Sequence, residues 1–392
     1  MQTYRVVVIG AGYAGTIATN RFLGSLSAAE RRRVALTVVN PRTDFVERIR
    51  LHELAAGTRP AVGHPLSGIL HPDAQLLEGT ATRIDAAART VTVATADGTV
   101  TLPFDRLLYA AGSVAAAPVP GAREHAFLLG DLDGAQRAAA AVRAAGPGTR
   151  VLVVGGGPTG VEAAAELAER HPEHAVTLVS ATPVLSFMRP AARRSILRTL
   201  RRLGVTVEED STVAAVEDGR VRLGDGRLLG FDVCVLAASF VAPGLAADSG
   251  LTVDALRRLR VDEFLQAQDA PAIVGAGDAV VLPARVGGHL RMACATALPL
   301  GVHAASVLLA GLRGAPPAPA SVGFVAQCLS LGRRSGYFQL VRRDDSPRPF
   351  HVGGRIAAWV KELICRSTVT MPRRVGAHPG SFPVPAGPRV AA

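Results

Sequence analysis

Cysteine is scarce in this chain and badly spaced for paired chemistry. Cys234, Cys294, Cys328 and Cys365 are the only four, none precedes Cys234, and no CxxC or CxxxxC pair occurs. That excludes a disulfide framework and supplies no metal-ligand spacing. Lysine is scarcer: Lys361 stands alone, so the net charge of +11 is carried by arginine. Arginine used throughout in place of lysine reads as a habit of the source genome and says little about chemistry. Aromatic residues make up only 4% of the sequence, the arginines are spread out and no recognition module appears, so nucleic acid is not an expected partner. By inspection no apolar run reaches the length needed to cross a bilayer, and a strand-like run begins at Tyr4 with no room for a secretory leader. The expected location is the cytoplasm. With 392 residues, 48% of them hydrophobic, there is enough chain for two or three well-buried domains.

Glycine is what the chain has in quantity, and two groups of it are placed alike. Tyr4 to Gly15 reads YRVVVIGAGYAG, four apolar β-formers running into a glycine turn that opens an alanine-rich helix. Gly10 permits the tight turn, Gly12 lets backbone approach a pyrophosphate, and Gly15, beside Ala14, lets helix pack on strand. The free N–H groups and partial positive charge of the helix start suit phosphate. Val151 to Gly160, VLVVGGGPTG, repeats the pattern with Gly155, Gly157 and Gly160. One such fingerprint is weak; two, each between a strand and a helix, indicate two dinucleotides held by two similar folds.

The remaining segments fit that frame. Val34 to Val39 is a second strand, and Asn40 stands at its end where a carboxylate for ribose hydroxyls is usual. Asp44 to Gly57 reads as an amphipathic helix, with Arg48 and His52 the residues to watch. Gly79 to Leu102 reads as a β-meander turning at Ala96-Asp97-Gly98. Arg106 to Ser113 is a buried strand ending in small residues, Gly112 among them, so that backbone can lie against a ligand. In the second unit Glu162 and Glu166 lie one turn apart on the helix, Glu162 in the first turn beyond the glycines. Ser180 occupies the ribose-recognising position, and with Arg189, Arg193 and Arg194 following it a 2′-phosphate is permitted. Phe231 to Ala238 is expected to return the chain to the first unit, and Ala272 to Ala279 is a further strand ending in Gly277-Asp278. Leu298 to Gly314 is a helix, and Ala315 to Ala320 a linker. A small unit then holds a hairpin around Leu331 to Gly336 and a helix over Arg355 to Arg366 bearing Trp359. The tail after about Gly376 is expected to be disordered.

The two fingerprints, the YAAGS strand end and the GAGDA turn, in that order, make the sequence resemble the flavoprotein superfamily with two dinucleotide-binding domains. Within it the chain looks like the branch of type II NADH dehydrogenases and apoptosis-inducing-factor-like proteins, over residues 4 to 345. The resemblance implies FAD on the first fingerprint, with Gly10, Gly12 and Gly15 at the pyrophosphate, Ala81 near the adenine and Asp278 at the ribityl chain. It implies NAD(P)H on Gly155, Gly157 and Gly160, and hydride transfer between the two cofactors. Two departures stand out. The redox cysteine pair of the disulfide-reductase branch is missing from the first domain. The glutamines of the respiratory quinone pocket are replaced by Cys294-Ala295-Thr296-Ala297-Leu298-Pro299-Leu300-Gly301.

The expected fold is therefore α/β, with two Rossmann-like domains for FAD and NAD(P) and a small α+β C-terminal domain. Its expected boundaries are residues 1–113 and 232–314 for the FAD domain, 114–231 for the inserted NAD(P) domain and 315–392 for the last. The expected function is an FAD-dependent NAD(P)H oxidoreductase acting on a quinone-like or other small organic acceptor, with Glu162 and Cys294 as candidate catalytic residues. A flavin-dependent tailoring enzyme and an NAD(P)H-dependent redox-sensing protein remain alternatives. Trp359, Ile364 and the surrounding arginines could rest on a membrane surface, although packing on their own domain explains the same pattern and is preferred.

Overall fold

The computed structural model describes residues 3–237 and 239–388; Ala238, which ends one expected strand, lies outside them. In chain order the elements that position the site are β1 (Tyr4–Ile9), α1 (Tyr13–Gly24), β2 (Val34–Asn40), α2 (Leu51–Ala55), β3 (Ala74–Glu78) and β4 (Arg106–Tyr109). Then come β5 (Arg150–Val154), α3 (Pro158–Arg170), β6 (Ala175–Val179), β7 (Thr206–Glu208), β8 (Val233–Leu236), β9 (Ala270–Gly275) and α4 (Cys294–Arg313). Last are β10 (Ala326–Ser330), β11 (Gly336–Val341), β12 (Pro347–Gly353) and α5 (Gly354–Ala377).

Two parallel sheets organise the molecule. β9, β4, β1, β2 and β3 pair in that order, with Gln266–Ala267 antiparallel at the β9 edge. Val6 to Ile9 are all buried because layers cover both faces of this sheet, which is why the strand reads as an unbroken apolar run. The second sheet runs Phe127–Leu128, β8, β5, β6, β7, all parallel. The chain passes between the sheets at Val114–Ala115 and at Phe240–Val241, and these two crossings pair antiparallel. Thr80–Asp85, Thr90–Thr95 and Gly98–Pro103 form the expected meander, one strand richer than the two runs read from sequence.

Four expectations are corrected. The apolar strand after Phe231 does not rejoin the first sheet: β8 pairs with β5, Val153 opposite Val235, so the return comes later. A doubly wound sheet needs a strand beside its first one, and β8 fills that place. Asp44 to Gly57 is helical only at its end; Asp44–Val46 pairs with Gly63–Pro65 instead, and Arg48–Arg50 is a short 3-10 turn. α4 is in fact long and apolar enough to cross a membrane by length and composition, but 61% of its apolar window is buried. It packs on α1 so tightly that a Cβ on Gly301 would lie 2.5 Å from the Ala14 carbonyl oxygen, the signature of a core helix. Finally, the tail is held as far as it is described, with Gly323 N–H donating to Pro385 O and Gly387 N–H to Ser321 Oγ.

β10, β11 and β12 form an antiparallel sheet, and α5 packs on it and on α1. α5 runs well past the expected Arg366 and through Pro372. Thr368, Pro372 and Val375 are buried there, and Asn20 Nδ2 donates to the Pro372 carbonyl. Tertiary packing thus overrides the weak helical tendency of that turn.

Candidate functional site

Each glycine turn is shaped to leave a helix start open. Gly10 has φ +98°, and a Cβ there would meet the Ala110 carbonyl oxygen at 2.4 Å; Gly155 has φ +130°. A Cβ on Gly15 would fall 1.9 Å from Gly10 O, and one on Gly160 would fall 1.8 Å from Gly155 O, so strand and helix touch through glycine both times. Gly12 and Gly157 cap α1 and α3 without any side-chain hydrogen bond, and a Cβ on either would meet nothing within 4 Å. A helix start left uncapped and uncrowded in this way offers room for a pyrophosphate against its free N–H groups.

The residues that end the second strands brace these turns. Asn40 Oδ1 accepts the Ala11 N–H at 3.0 Å, and its Nδ2 donates to Arg42 O at 2.7 Å. Ser180 is buried, donates to Thr182 O at 2.5 Å, and fills the space that a Cβ on Gly156 would need. Both side chains are therefore committed within their own chain. Arg193 is likewise taken, bonded to Val184 O and paired with Glu209, while Arg189 and Arg194 are exposed and form no ion pair among the described residues.

Around the first turn the structure brings together Gly12, Ala14, Gly112, Gly277, Asp278 and Cys294. A Cβ on Gly277 would lie 3.1 Å from Ala14 Cβ, and Asp278 Oδ2 accepts from Ser113 Oγ at 2.9 Å. Asp278 Oδ1 is buried without a partner among the described residues, and so is Thr296 Oγ1 in the first turn of α4. Both residues line one small cavity of about 20 Å³, together with Arg258, Gly277, Arg291 and Met292. Burial raises the Asp278 carboxyl above its ordinary pKa. Two orphaned oxygens on one cavity beside an open helix start are what a polyhydroxylated ligand would satisfy, whereas the Arg258 and Arg291 guanidinium groups are paired with Asp254 and Asp345. Arg48 is not free to reach such a ligand: it donates to Ser113 O at 2.5 Å and Gly130 O at 2.7 Å, tying the start of the first crossing to the turn after Phe127–Leu128. Ala81 lies half-buried at a bulge of the meander. A groove of about 740 Å³, lined by Tyr4, Arg106, Pro271 and Gly311, lies at the far end of the sheet.

Glu162 does not stand open at the second turn. Its Oε1 accepts the Ser330 N–H at 2.9 Å and pairs with Lys361 Nζ at 3.0 Å. Burial would raise its pKa, but Lys361 and His52 outweigh burial and hold the carboxyl below its ordinary value. His52 Nε2 lies 3.1 Å from Ser330 Oγ, and burial pushes this imidazole below its usual pKa. Beside them Arg50, itself buried, pairs with Glu47, Glu53 and Glu362, while Arg333 pairs with Glu166 and Glu53. This network joins α2, α3, the β10–β11 hairpin and α5. Sequence reading singled out His52, Glu162 and Glu166 but missed Lys361, Ser330, Arg50 and Arg333; the one available signal was that Lys361 is the sole lysine. Cys294 is pushed up by burial to about 11, so its thiol stays protonated near neutrality and is not primed as a nucleophile. All four cysteines are free thiols.

Comparison with known proteins agrees with this architecture. Residues 4–298 match the family described as pyridine nucleotide-disulphide oxidoreductase. An NADH dehydrogenase-like protein of Mycobacterium tuberculosis is 33% identical over 353 residues, 84% of this chain and 86% of the relative. A type II NADH:quinone oxidoreductase of the same organism is 29% identical over 71% of this chain and 67% of its own. Among solved structures, the sulfide:quinone oxidoreductase of Aquifex aeolicus superposes with a TM-score of 0.81 at 20% identity, covering 96% of this chain and 93% of the other. The chain belongs to the pyridine nucleotide-disulphide oxidoreductase family, and is an NAD(P)H-dependent flavoprotein oxidoreductase using FAD and a nicotinamide dinucleotide.

Proposed function

We propose that the protein oxidises NAD(P)H and passes the electrons through FAD to a small organic acceptor of the quinone type. The observation that carries the flavin site is the pair of orphaned oxygens, Asp278 Oδ1 and Thr296 Oγ1, on one cavity beside the open start of α1. Gly10, Gly12, Ala14 and Gly15 would cradle the pyrophosphate, Asp278 would take a ribityl hydroxyl and Ala81 would border the adenine. Gly155, Gly157 and Gly160 would cradle the nicotinamide dinucleotide. FAD bound there would supply the two-electron chemistry between nicotinamide and acceptor. The chain's part is alignment and electrostatics. Lys361 fixes the charge state of Glu162, His52 and Ser330 fix its position, and the protonated Cys294 presents a neutral, apolar start to α4. Quinone as the acceptor rests on the relatives, which include a type II NADH:quinone oxidoreductase. The altered run from Cys294 to Gly301 departs from the glutamine-lined pocket and favours an acceptor held by apolar contact.

Anaerobic mixing of the holoprotein with NADH or NADPH tests this reading: the oxidised flavin absorbance should bleach and recover on adding a soluble quinone. Flavin that stays oxidised with both nucleotides would refute it.

A membrane-surface location fits the same reading. α5 leaves Ile356, Trp359 and Leu363 exposed at helical spacing, next to exposed Phe350 on β12, with Arg348, Arg355 and Arg366 at the rim. Its opposite face, from Ala357 to Val375, is buried, so the apolar stripe is surplus to the domain's own packing.

A further inference from the structure

The loop between α3 and β6 reads His171-Pro172-Glu173-His174 and belongs to neither glycine turn. Its three titratable side chains each offer one ligand atom, all within 4.8 Å of one another. His171 Nδ1 lies 3.3 Å from Glu173 Oε1, and His174 Nε2 lies 3.9 Å from the same oxygen. On its other side His171 places Nε2 3.0 Å from the Ala56 carbonyl oxygen. A carbonyl only accepts, so Nε2 carries the proton and Nδ1 is the nitrogen that faces the carboxylate. Between Nδ1 and the carboxylate oxygen, 3.3 Å apart, there is a place for one positive centre, a proton or a metal ion. His174 adds a second, separate anomaly. Its side chain is 2% exposed, yet neither ring nitrogen has a hydrogen-bond partner among the described residues. Buried polar atoms left unmet on both sides of a ring are uncommon and call for a water or an ion to meet them.

We propose that His171, Glu173 and His174 bind one divalent transition-metal ion of the zinc(II), cobalt(II) or nickel(II) kind, water completing the coordination. Two imidazoles and a carboxylate are a borderline N/O donor set that suits these ions and not calcium or magnesium. Metal–ligand bonds of about 2.0–2.1 Å set ligands about 3.3 Å apart along a tetrahedral edge, which the His171–Glu173 pair already meets. The two rings now stack with centroids 5.1 Å apart and planes 14° apart, so their lone pairs do not converge. Binding therefore turns the His174 ring, which gives up no hydrogen bond in moving. The Ala56 carbonyl serves as the outer partner that fixes the His171 tautomer. Because Ala56 caps α2 and the loop follows α3, the ion would close the seam between the two dinucleotide units beside the Thr58 to Glu166 hydrogen bond.

Chelator-treated holoprotein titrated with cobalt(II) tests the site. The expected result is uptake of one equivalent, with visible ligand-field bands of a low-symmetry, N/O-ligated ion, and a zinc(II)-dependent rise in melting temperature. Glu173→Gln, at an exposed position, and His171→Ala should each weaken uptake by more than about tenfold while FAD content stays the same. Absence of saturable uptake overturns the proposal. So does uptake undiminished in both variants, or a thiolate charge-transfer band, which would assign the ion to Cys294, Cys328 or Cys365. A pH-dependent melting step abolished by Glu173→Gln without metal uptake also overturns it, because the positive centre would then be a proton on His171.

Discussion

Lys361 Nζ sits 3.0 Å from Glu162 Oε1, with both side chains largely buried, so α5 is fastened by charge to the helix that starts at the second glycine turn. Each ion is tolerated in the interior because of the other. Removing one partner leaves the other charge uncompensated, which typically costs about 3–5 kcal/mol, whereas removing both costs far less. Lys361→Met should therefore destabilise the holoprotein by about that amount, and Lys361→Met with Glu162→Gln should recover most of the loss. Urea midpoints of the three FAD-loaded proteins make the comparison. A Lys361→Met midpoint equal to that of the parent would show that Glu162 needs no cation.

The acid limb of stability should be set in part by Glu362. Burial alone would raise its pKa, but hydrogen bonds from Arg50 and Arg366 prevail and hold it at about 2. A carboxylate depressed in the folded state stabilises fully above its unfolded value, near 4.5, and that contribution is lost as pH falls toward about 2. Between those limits the parent should lose stability faster than Glu362→Gln, which has no proton to take up there. Melting temperatures across this window read the difference, and parallel curves would exclude Glu362 as a contributor.

Asp278 should behave in the opposite sense. Its buried carboxyl, raised above the ordinary value and with one oxygen unmet, is a burden on the empty protein that a bound hydroxyl would relieve. Asp278→Asn should leave the apoprotein as stable as the parent or more so. In the same variant FAD affinity should fall about tenfold, the weight of one hydrogen bond of about 1.5 kcal/mol. Apoprotein melting and FAD titration give the two readings; a variant that loses apoprotein stability and keeps FAD would place Asp278 in the scaffold alone.

The parallel sheets were legible because their strands are buried on both faces and their turns need glycine at stated positions. Gly10 and Gly155 with the helix starts after them, and the turn at Gly277, follow from local chemistry that a sequence displays. Residues whose roles depend on distant partners were read less well. Arg48 falls in a segment of mixed charge and apolar residues, and nothing local reveals that its guanidinium ties Ser113 to Gly130. Asn40 and Ser180 sit where ribose ligands are expected, yet each is turned to its own loop by carbonyls and N–H groups within a few residues or across the sheet. β8 was assigned to the wrong sheet because an apolar strand carries no label for its neighbours; pairing is settled by what remains unpaired. The charged network around Arg50 and Lys361 joins residues far apart in the chain, and periodicity does not record such contacts.

The exposed stripe on α5 leads to the last prediction. Ile356 is 67% exposed, Trp359 63% and Leu363 44%, spaced three and four residues apart, so one helix face presents them together. Arginines at the rim add attraction to anionic headgroups, and Trp suits the interface between headgroup and acyl chain. The protein should co-sediment with vesicles containing anionic lipid, less so with zwitterionic ones, and less again at high salt. Burying two large apolar side chains is worth about 3 kcal/mol at the low end, so Ile356→Ser with Trp359→Ser should weaken partitioning roughly 100-fold. Flavin bleaching by NAD(P)H in the same double variant should be unchanged, since both side chains are exposed and lie outside the buried face of α5. If the stripe is instead a contact between two copies of the chain, sedimentation equilibrium will show a dimer that the double variant dissociates, and vesicles will leave the protein in the supernatant.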